Sequence, residues 1–179
     1  MNRANVPSLR LVRPKEQMPA DELELVFRSY ARYVASIALR LLGRDAEVDD
    51  VVQEVFVAAL RGLRELREPM AIRGWLATVT VRLARRRLRR RRLRALVGLD
   101  TAPAYAQLVV AAQQDDALLI VRAYHVLDRL PVDDKIAWTL RHVEGEPLES
   151  VAKICGCSLA TAKRRIARAQ AVLAAEVDA

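Results

Sequence analysis

Residues 148–169 read LESVAKICGCSLATAKRRIARA, and this stretch decides the fold. Leu148, Val151, Ala152 and Cys155 recur at helical spacing. Gly156 then supplies the residue type that ends a helix in the left-handed conformation. Ser158 is a good N-cap for a second helix, whose apolar stripe is Leu159, Ala162, Ile166, Ala169 and Leu173. Ala152 lies four residues before the turn glycine, where two helices crossing at a tight turn demand a small side chain. The pattern predicts a helix-turn-helix unit. Opposite the stripe lie Ala160, Lys163, Arg164, Ala167 and Ala171. The alanines permit close approach to a groove, and the cations reach base edges or phosphates. Arg165 and Arg168 flank this face, within reach of a DNA backbone. Cys155 and Cys157 form neither a disulfide framework nor a zinc knuckle, since His125 and His142 fall in other helices. The expectation is no metal, no cofactor and a reducing, cytoplasmic setting.

Upstream of this unit the same periodicity continues. Leu119, Ala123, Val126, Leu127 and Leu130 mark one helix, and Pro131 opens another as a first-turn proline, with Val132, Ile136, Leu140 and Val143 inward and Gly145 as its stop. A four-helix module over 116–177 follows. Residues 95–115 contain Gly98 and Pro103, lack a clear period and read as a linker with room for a short helix at Gln107–Gln114. Before it, 21–94 form a second helical module. Its first helix, Asp21 to Leu42, turns Leu23, Val26, Phe27, Tyr30, Val34, Ile37 and Leu41 inward. Its second, from Ala46 to Leu66, buries Val48, Val51, Val52, Val55, Phe56, Ala59 and Leu63, leaving Asp50, Gln53, Glu54 and Val57 outside. A third begins near Ala71 with Trp75, Leu76, Val79 and Leu83 inward. Beyond Leu83 the stripe fails, because Arg86 and Arg87 stand where it would continue and Leu88 and Leu93 are too unevenly spaced to resume it. The end of that helix is expected to leave its core and to require an external anion. Residues 1–20 carry Pro7, Pro14 and Pro19 and read as a flexible tail. The fold class is all-α: two small helical domains joined by a linker.

Charge is unevenly placed. Thirteen arginines and two acids lie between Arg61 and Arg94, a local +11 within a chain of net charge +8, so the remainder is net −3. An acidic cluster, Asp45, Glu47, Asp49, Asp50 and Glu54, precedes the block. Such asymmetry fits a protein that meets polyanion with one surface and a different partner with another. An apolar content of 53% excludes wholesale disorder. No apolar run is long enough to span a bilayer, and the N-terminal stretch lacks a signal-peptide core. Only the acidic cluster could hold a catalytic metal for a nuclease. No His or Lys accompanies it, and its spacings suit a partner-facing helix equally well, so no enzyme chemistry is expected.

In order and spacing the two modules resemble the extracytoplasmic-function (ECF, group IV) sigma factors of bacterial RNA polymerase. The resemblance rests on Asp49-Asp50-Val51-Val52-Gln53-Glu54-Val55-Phe56, on Arg73-Gly74-Trp75-Leu76, on Leu127-Asp128-Arg129-Leu130-Pro131 and on Thr161-Ala162-Lys163-Arg164-Arg165-Ile166-Ala167-Arg168-Ala169. It covers about residues 21–94 and 116–175. It implies a sigma region 2-like domain that binds core polymerase and the −10 promoter element, and a region 4-like domain that reads the −35 element. Asp49, Asp50, Gln53 and Glu54 then meet the β′ clamp helices, with the β flap as a further contact. Leu66–Gly74 form the loop that captures a flipped base. Arg73, Trp75, Arg82, Arg85, Arg86 and Arg89 serve the −10 region, and Ser158, Thr161, Lys163, Arg164, Arg165, Ala167 and Arg168 the −35 element. An anti-sigma partner is implied as plausible. Arg82 and Arg86 replace the Asn and Asp common in the family, and Ala162 its usual larger apolar residue, which points to a larger nonspecific phosphate component. The alternative reading is a helix-turn-helix regulator acting as a dimer.

Overall fold

The computed structural model describes residues 20–43, 45–63, 71–98 and 114–177. Among them are seven helices: α1 (Ala20–Leu42), α2 (Asp45–Gly62), α3 (Ala71–Leu96), α4 (Gln114–Arg129), α5 (Val132–His142), α6 (Leu148–Cys155) and α7 (Leu159–Val177). Residues 1–19 of the tail, 66–70 of the Leu66–Gly74 loop and 107–113 of the short helix expected at Gln107–Gln114 lie outside the described residues; the loop assignment is corrected at residues 71–74, which form the first turn of α3, and Gln114 opens α4. The helix-turn-helix reading holds in detail. Gly156 caps α6 at φ 65°, its N–H donating to the Lys153 carbonyl, while the Cys157 N–H donates to the Ala152 carbonyl. The Ser158 hydroxyl accepts from the Thr161 N–H at 3.2 Å, the N-cap expected of it. The Pro131 assignment is corrected by one position, and Pro147 stands in the same place before α6. Each caps its helix in an extended conformation, with the first helical residue following it.

Helices α1, α2 and α3 bury Val34, Ile37, Leu41, Val51, Val55, Leu76 and Val81 completely. That cluster does not stop at the first module. It runs on through Val132, Ile136 and Leu140 of α5 and Val151, Ile154 and Cys155 of α6. A smaller cluster holds Leu127 of α4 and Leu130 just beyond its end with Ala169 and Leu173 of α7. The modules therefore share one apolar interior, whereas the sequence suggests two bodies on a tether.

Three inward assignments are corrected. Phe27 is exposed on one side, although its ring packs edge-to-face with Phe56, the centroids 4.8 Å apart. Leu119 and Leu159, assigned to apolar stripes, are also exposed. The largest correction concerns α3. Its inward face continues past Leu83 through Ala84, Leu88 and Arg91, all buried. Leu93 is exposed, as expected. Arg91 reaches the Leu42 carbonyl at the end of α1 with its Nη1 and Glu47 with its Nε, at 2.6 and 3.0 Å. Arg87 pairs with Glu54 at 2.8 Å. A buried guanidinium is tolerable when carboxylates and a helix-end carbonyl satisfy it. At Arg87 and Arg91 the anions that this helix needs are internal, Glu54 and Glu47 of α2, with the Leu42 carbonyl of α1 as a further acceptor.

Candidate nucleic-acid interface

On α7, Ala162, Ala169 and Leu173 face inward, so helical geometry turns Ala160, Lys163, Arg164 and Ala167 outward, and all four are exposed. Thr161 is half-buried, its hydroxyl bonded to Ser158 at 2.9 Å and within 3.5 Å of Arg164. Ser158 is exposed. The two flanking cations differ from the reading face. Arg168 grips Asp134 of α5 with Nε and Nη2 at 2.9 and 2.7 Å, and Asp134 is only 2% exposed. Arg165 sits 3.3 Å from Asp133. Both therefore hold α7 to α5, Arg168 from an exposed position and Arg165 from a largely buried one, a role that spacing alone does not signal.

On α3, Arg82 and Trp75 border an open cavity of about 640 Å³ with Gln53, Glu54, Val57 and Arg61 of α2. Trp75 is half-buried and lies on Gly62; a Cβ there would come within 2.3 Å of its ring. Arg86 reaches Glu54 at 2.9 Å. Arg73 stacks over the Tyr33 ring at 4.4 Å and pairs with Glu146 at 2.9 Å. Burial, with the Glu146 carboxylate beside it, pushes the Tyr33 phenol above its usual range. Arg85 lies 2.8 Å from Asp133 and donates to the Cys155 carbonyl at 3.2 Å, and Arg89 reaches Asp133 at 3.4 Å. The sequence-predicted residues of α3 thus line one helix, but three of the six are occupied by carboxylates of the second module.

On α2, Asp49, Asp50 and Gln53 are exposed on one face with Val57, whereas Glu54 is half-buried and held by Arg86 and Arg87. Beside that face an apolar groove of about 400 Å³ runs between Leu23, Phe27, Val52, Phe56 and Leu60. Among the described residues no group of His, Cys, Asp and Glu is arranged to hold a metal ion. No described helix is long and apolar enough to cross a membrane. Cys155 is buried and its thiol is pushed up to about 11 by that burial, so it is a core residue.

Asp133, Asp134, Glu144 and Glu146 are absent from any sequence-level site. Their only signal is the flanking of Pro131 and Gly145 by acids, which does not reveal the arginines opposite them.

A basic reading helix after a glycine turn, joined to a second helical module with an arginine-lined helix, defines a two-module nucleic-acid-binding protein. Residues 26–94 match the Sigma-70 region 2 family and residues 120–171 the Sigma-70, region 4 family. The chain is 31% identical over 141 residues to the ECF RNA polymerase sigma factor EcfG of Rhodopseudomonas palustris, covering 78% of this chain and 76% of that one. It is 32% identical over 150 residues to the ECF RNA polymerase sigma factor SigM of Mycobacterium tuberculosis, covering 83% and 74%. A match to the probable RNA polymerase sigma factor RfaY of Xanthomonas campestris, at 30% identity, covers 80% of this chain and 37% of that longer protein. The chain belongs to the ECF RNA polymerase sigma factors. Its fold is that of the Bartonella quintana sigma factor RpoE solved with the anti-sigma factor NepR, with a TM-score of 0.68 at 20% identity over 89% of this chain and 98% of that one. CnrH, solved with the cytosolic domain of CnrY, has a TM-score of 0.62 at 22% identity over 89% and 90%.

Proposed function

We propose that this sigma factor works by recruitment, in the cytoplasm and with no chemistry of its own, through three surfaces. The exposed Asp49, Asp50 and Gln53 face of α2, with Glu54 at its margin, meets core polymerase, with the β flap as a second contact for the C-terminal module. Arg73, Trp75, Arg82, Arg85, Arg86 and Arg89 on α3 grip the −10 region. Ser158 at the N-cap of α7, and Thr161, Lys163, Arg164, Arg165, Ala167 and Arg168 on the helix, address the −35 element. The observation that carries the reading is the separation on α7 of a buried Ala162–Ala169–Leu173 stripe from an outward Lys163–Arg164–Ala167 face. Small side chains beside two cations suit major-groove entry. Each module alone binds duplex weakly; tethering the two raises the effective concentration of the second contact. Extruding a −10 base costs roughly a few kcal/mol, and the α3 arginines offset it through phosphate contacts. Helix α3 carries one aromatic side chain, Trp75, which is packed on Gly62. Capture of the base in a pocket therefore dominates over an aromatic wedge. An anti-sigma partner is part of the proposal, because the Bartonella quintana sigma factor that shares this fold was solved with one.

Co-elution of the full chain with bacterial core polymerase tests the assignment. Wild type is expected to co-elute, and the Asp50→Arg/Gln53→Arg variant to separate while remaining helical. Equal retention of both would refute the α2 surface.

A further inference from the structure

We infer that a cavity among α3, α4 and α5 is a binding site for a small phosphate dianion, either inorganic phosphate or the terminal phosphate of a monoester. The cavity measures about 170 Å³. That is several times the roughly 30 Å³ that one water takes in the liquid, so a tetrahedral anion fits. Among the described residues its lining carries three cations, Arg91 and Arg92 of α3 and Lys135 of α5, against one carboxylate, Asp128 of α4. The side chains of Lys135 and Arg91 are 2% and 8% exposed. Leu88 and Val132, both buried, form apolar walls, and the exposed Ala95, with only a methyl group, marks the open side.

The contacts that place these cations leave positive charge in excess. Lys135 is bonded to the Asp128 carboxylate. Arg92 donates to the Asp128 main-chain carbonyl at 3.3 Å, a neutral acceptor. Arg91 holds Glu47 and the Leu42 carbonyl. Its buried Nη2 lies 2.8 Å from Glu47 without an aligned hydrogen bond. Even with Glu47 added to the lining, cations outnumber carboxylates among the described residues. Like charges gathered away from water repel strongly. Burial lowers the pKa of the Lys135 ammonium; Asp128 opposes that, and Arg91 and Arg92 add to it. A dianion offsets the excess. A guanidinium fork matches two phosphate oxygens, and the ammonium supplies a point charge. The apolar walls exclude water and strengthen both attractions. A recessed site admits a phosphate that ends a small molecule, whereas a polynucleotide phosphate carries chain on both sides. Arg91, Arg92 and Lys135 belong to none of the three surfaces proposed above, so the site is separate from them.

The test uses the full chain at fixed ionic strength, with chloride as the balancing anion so that screening stays constant. Equilibrium dialysis measures binding of radiolabelled inorganic phosphate, and competition by adenosine 5′-monophosphate measures entry of a monoester. Saturable binding of one phosphate per chain is expected. Arg92→Gln and Lys135→Met should each weaken it about tenfold or more, the loss of a charged hydrogen bond. Arg94→Gln removes the same charge from an exposed position on α3 outside the cavity and should change the affinity less than about twofold. Should Lys135→Met lose helix, Arg92→Gln and hydrogen exchange on the wild type decide: phosphate is expected to protect residues 88–95 and 128–135. Competition by the monophosphate assigns the site to monoesters as well, and no competition assigns it to the free ion. Absence of saturable phosphate binding, equal weakening in Arg92→Gln and Arg94→Gln, or protection confined to other residues overturns the site. No readout uses DNA or polymerase, so failure of the chain to direct transcription would remove the functional reading while leaving the phosphate site measured.

Discussion

Arg85 of α3 and Asp133 of α5 meet at 2.8 Å, Nε to Oδ1, across the join between the two modules. Both atoms are buried, and neither has an aligned hydrogen bond, so each relies on the other's charge. Removing one leaves the other buried and uncompensated. Asp133→Ala should therefore cost about 1–3 kcal/mol of stability, read by urea unfolding. It also frees Arg89 and Arg165. A change within experimental error would show that water already solvates this pair.

Gly62 and Trp75 give a steric prediction. The ring occupies the space into which any side chain at 62 would project. Gly62→Ala should destabilise by about 1–3 kcal/mol through overpacking, with loss of the native Trp fluorescence environment. Unaltered emission and stability would mean that the indole swings aside freely.

The two arginine types on α7 should separate experimentally. Lys163→Ala/Arg164→Ala should weaken −35-dependent binding, by about 1–3 kcal/mol for each base edge that is no longer read, with thermal stability retained. Arg168→Ala should lose stability as well, because Asp134 is then buried without its bidentate partner. Equal loss of stability in both variants would refute this division of labour.

Alkaline pH probes the second cluster. Burial pushes the Tyr124 phenol up to about 12, against 10.0 unfolded. Between those values the unfolded chain releases a proton that the folded chain keeps, so stability falls as pH rises from 10 towards 12, by up to about 2–3 kcal/mol. Lys135, lowered by burial despite Asp128, contributes with opposite sign, since its unfolded form binds more protons below 10.5. The difference between wild type and Tyr124→Phe isolates the tyrosine. A parallel pH dependence in the two proteins would contradict its burial.

Helices whose burial follows apolar spacing were legible from the residues alone. Val34, Ile37 and Leu41 on α1, and Val51, Val55 and Ala59 on α2, are fully buried as their periodicity predicts. The turn at Gly156 and the cap at Ser158 were equally local. The second half of α3 was not, because a run of arginines reads as solvent-facing until Glu47 and Glu54 are known to stand opposite it. Glu144 and Glu146 were invisible for the same reason. Their partners, Arg40 and Arg73, lie far away in sequence and meet them only through tertiary packing. The outward face of α7 was readable, whereas the tie from Arg168 to Asp134 required the neighbouring helix.

Run-off transcription with bacterial core polymerase on a library of genomic promoter fragments tests the central claim most directly. Addition of this chain should produce discrete transcripts whose start sites share upstream elements at −35 and −10, and the Lys163→Ala/Arg164→Ala variant should lose them while still binding the enzyme. Transcription unaffected by the chain, together with no association with core polymerase, would contradict the account.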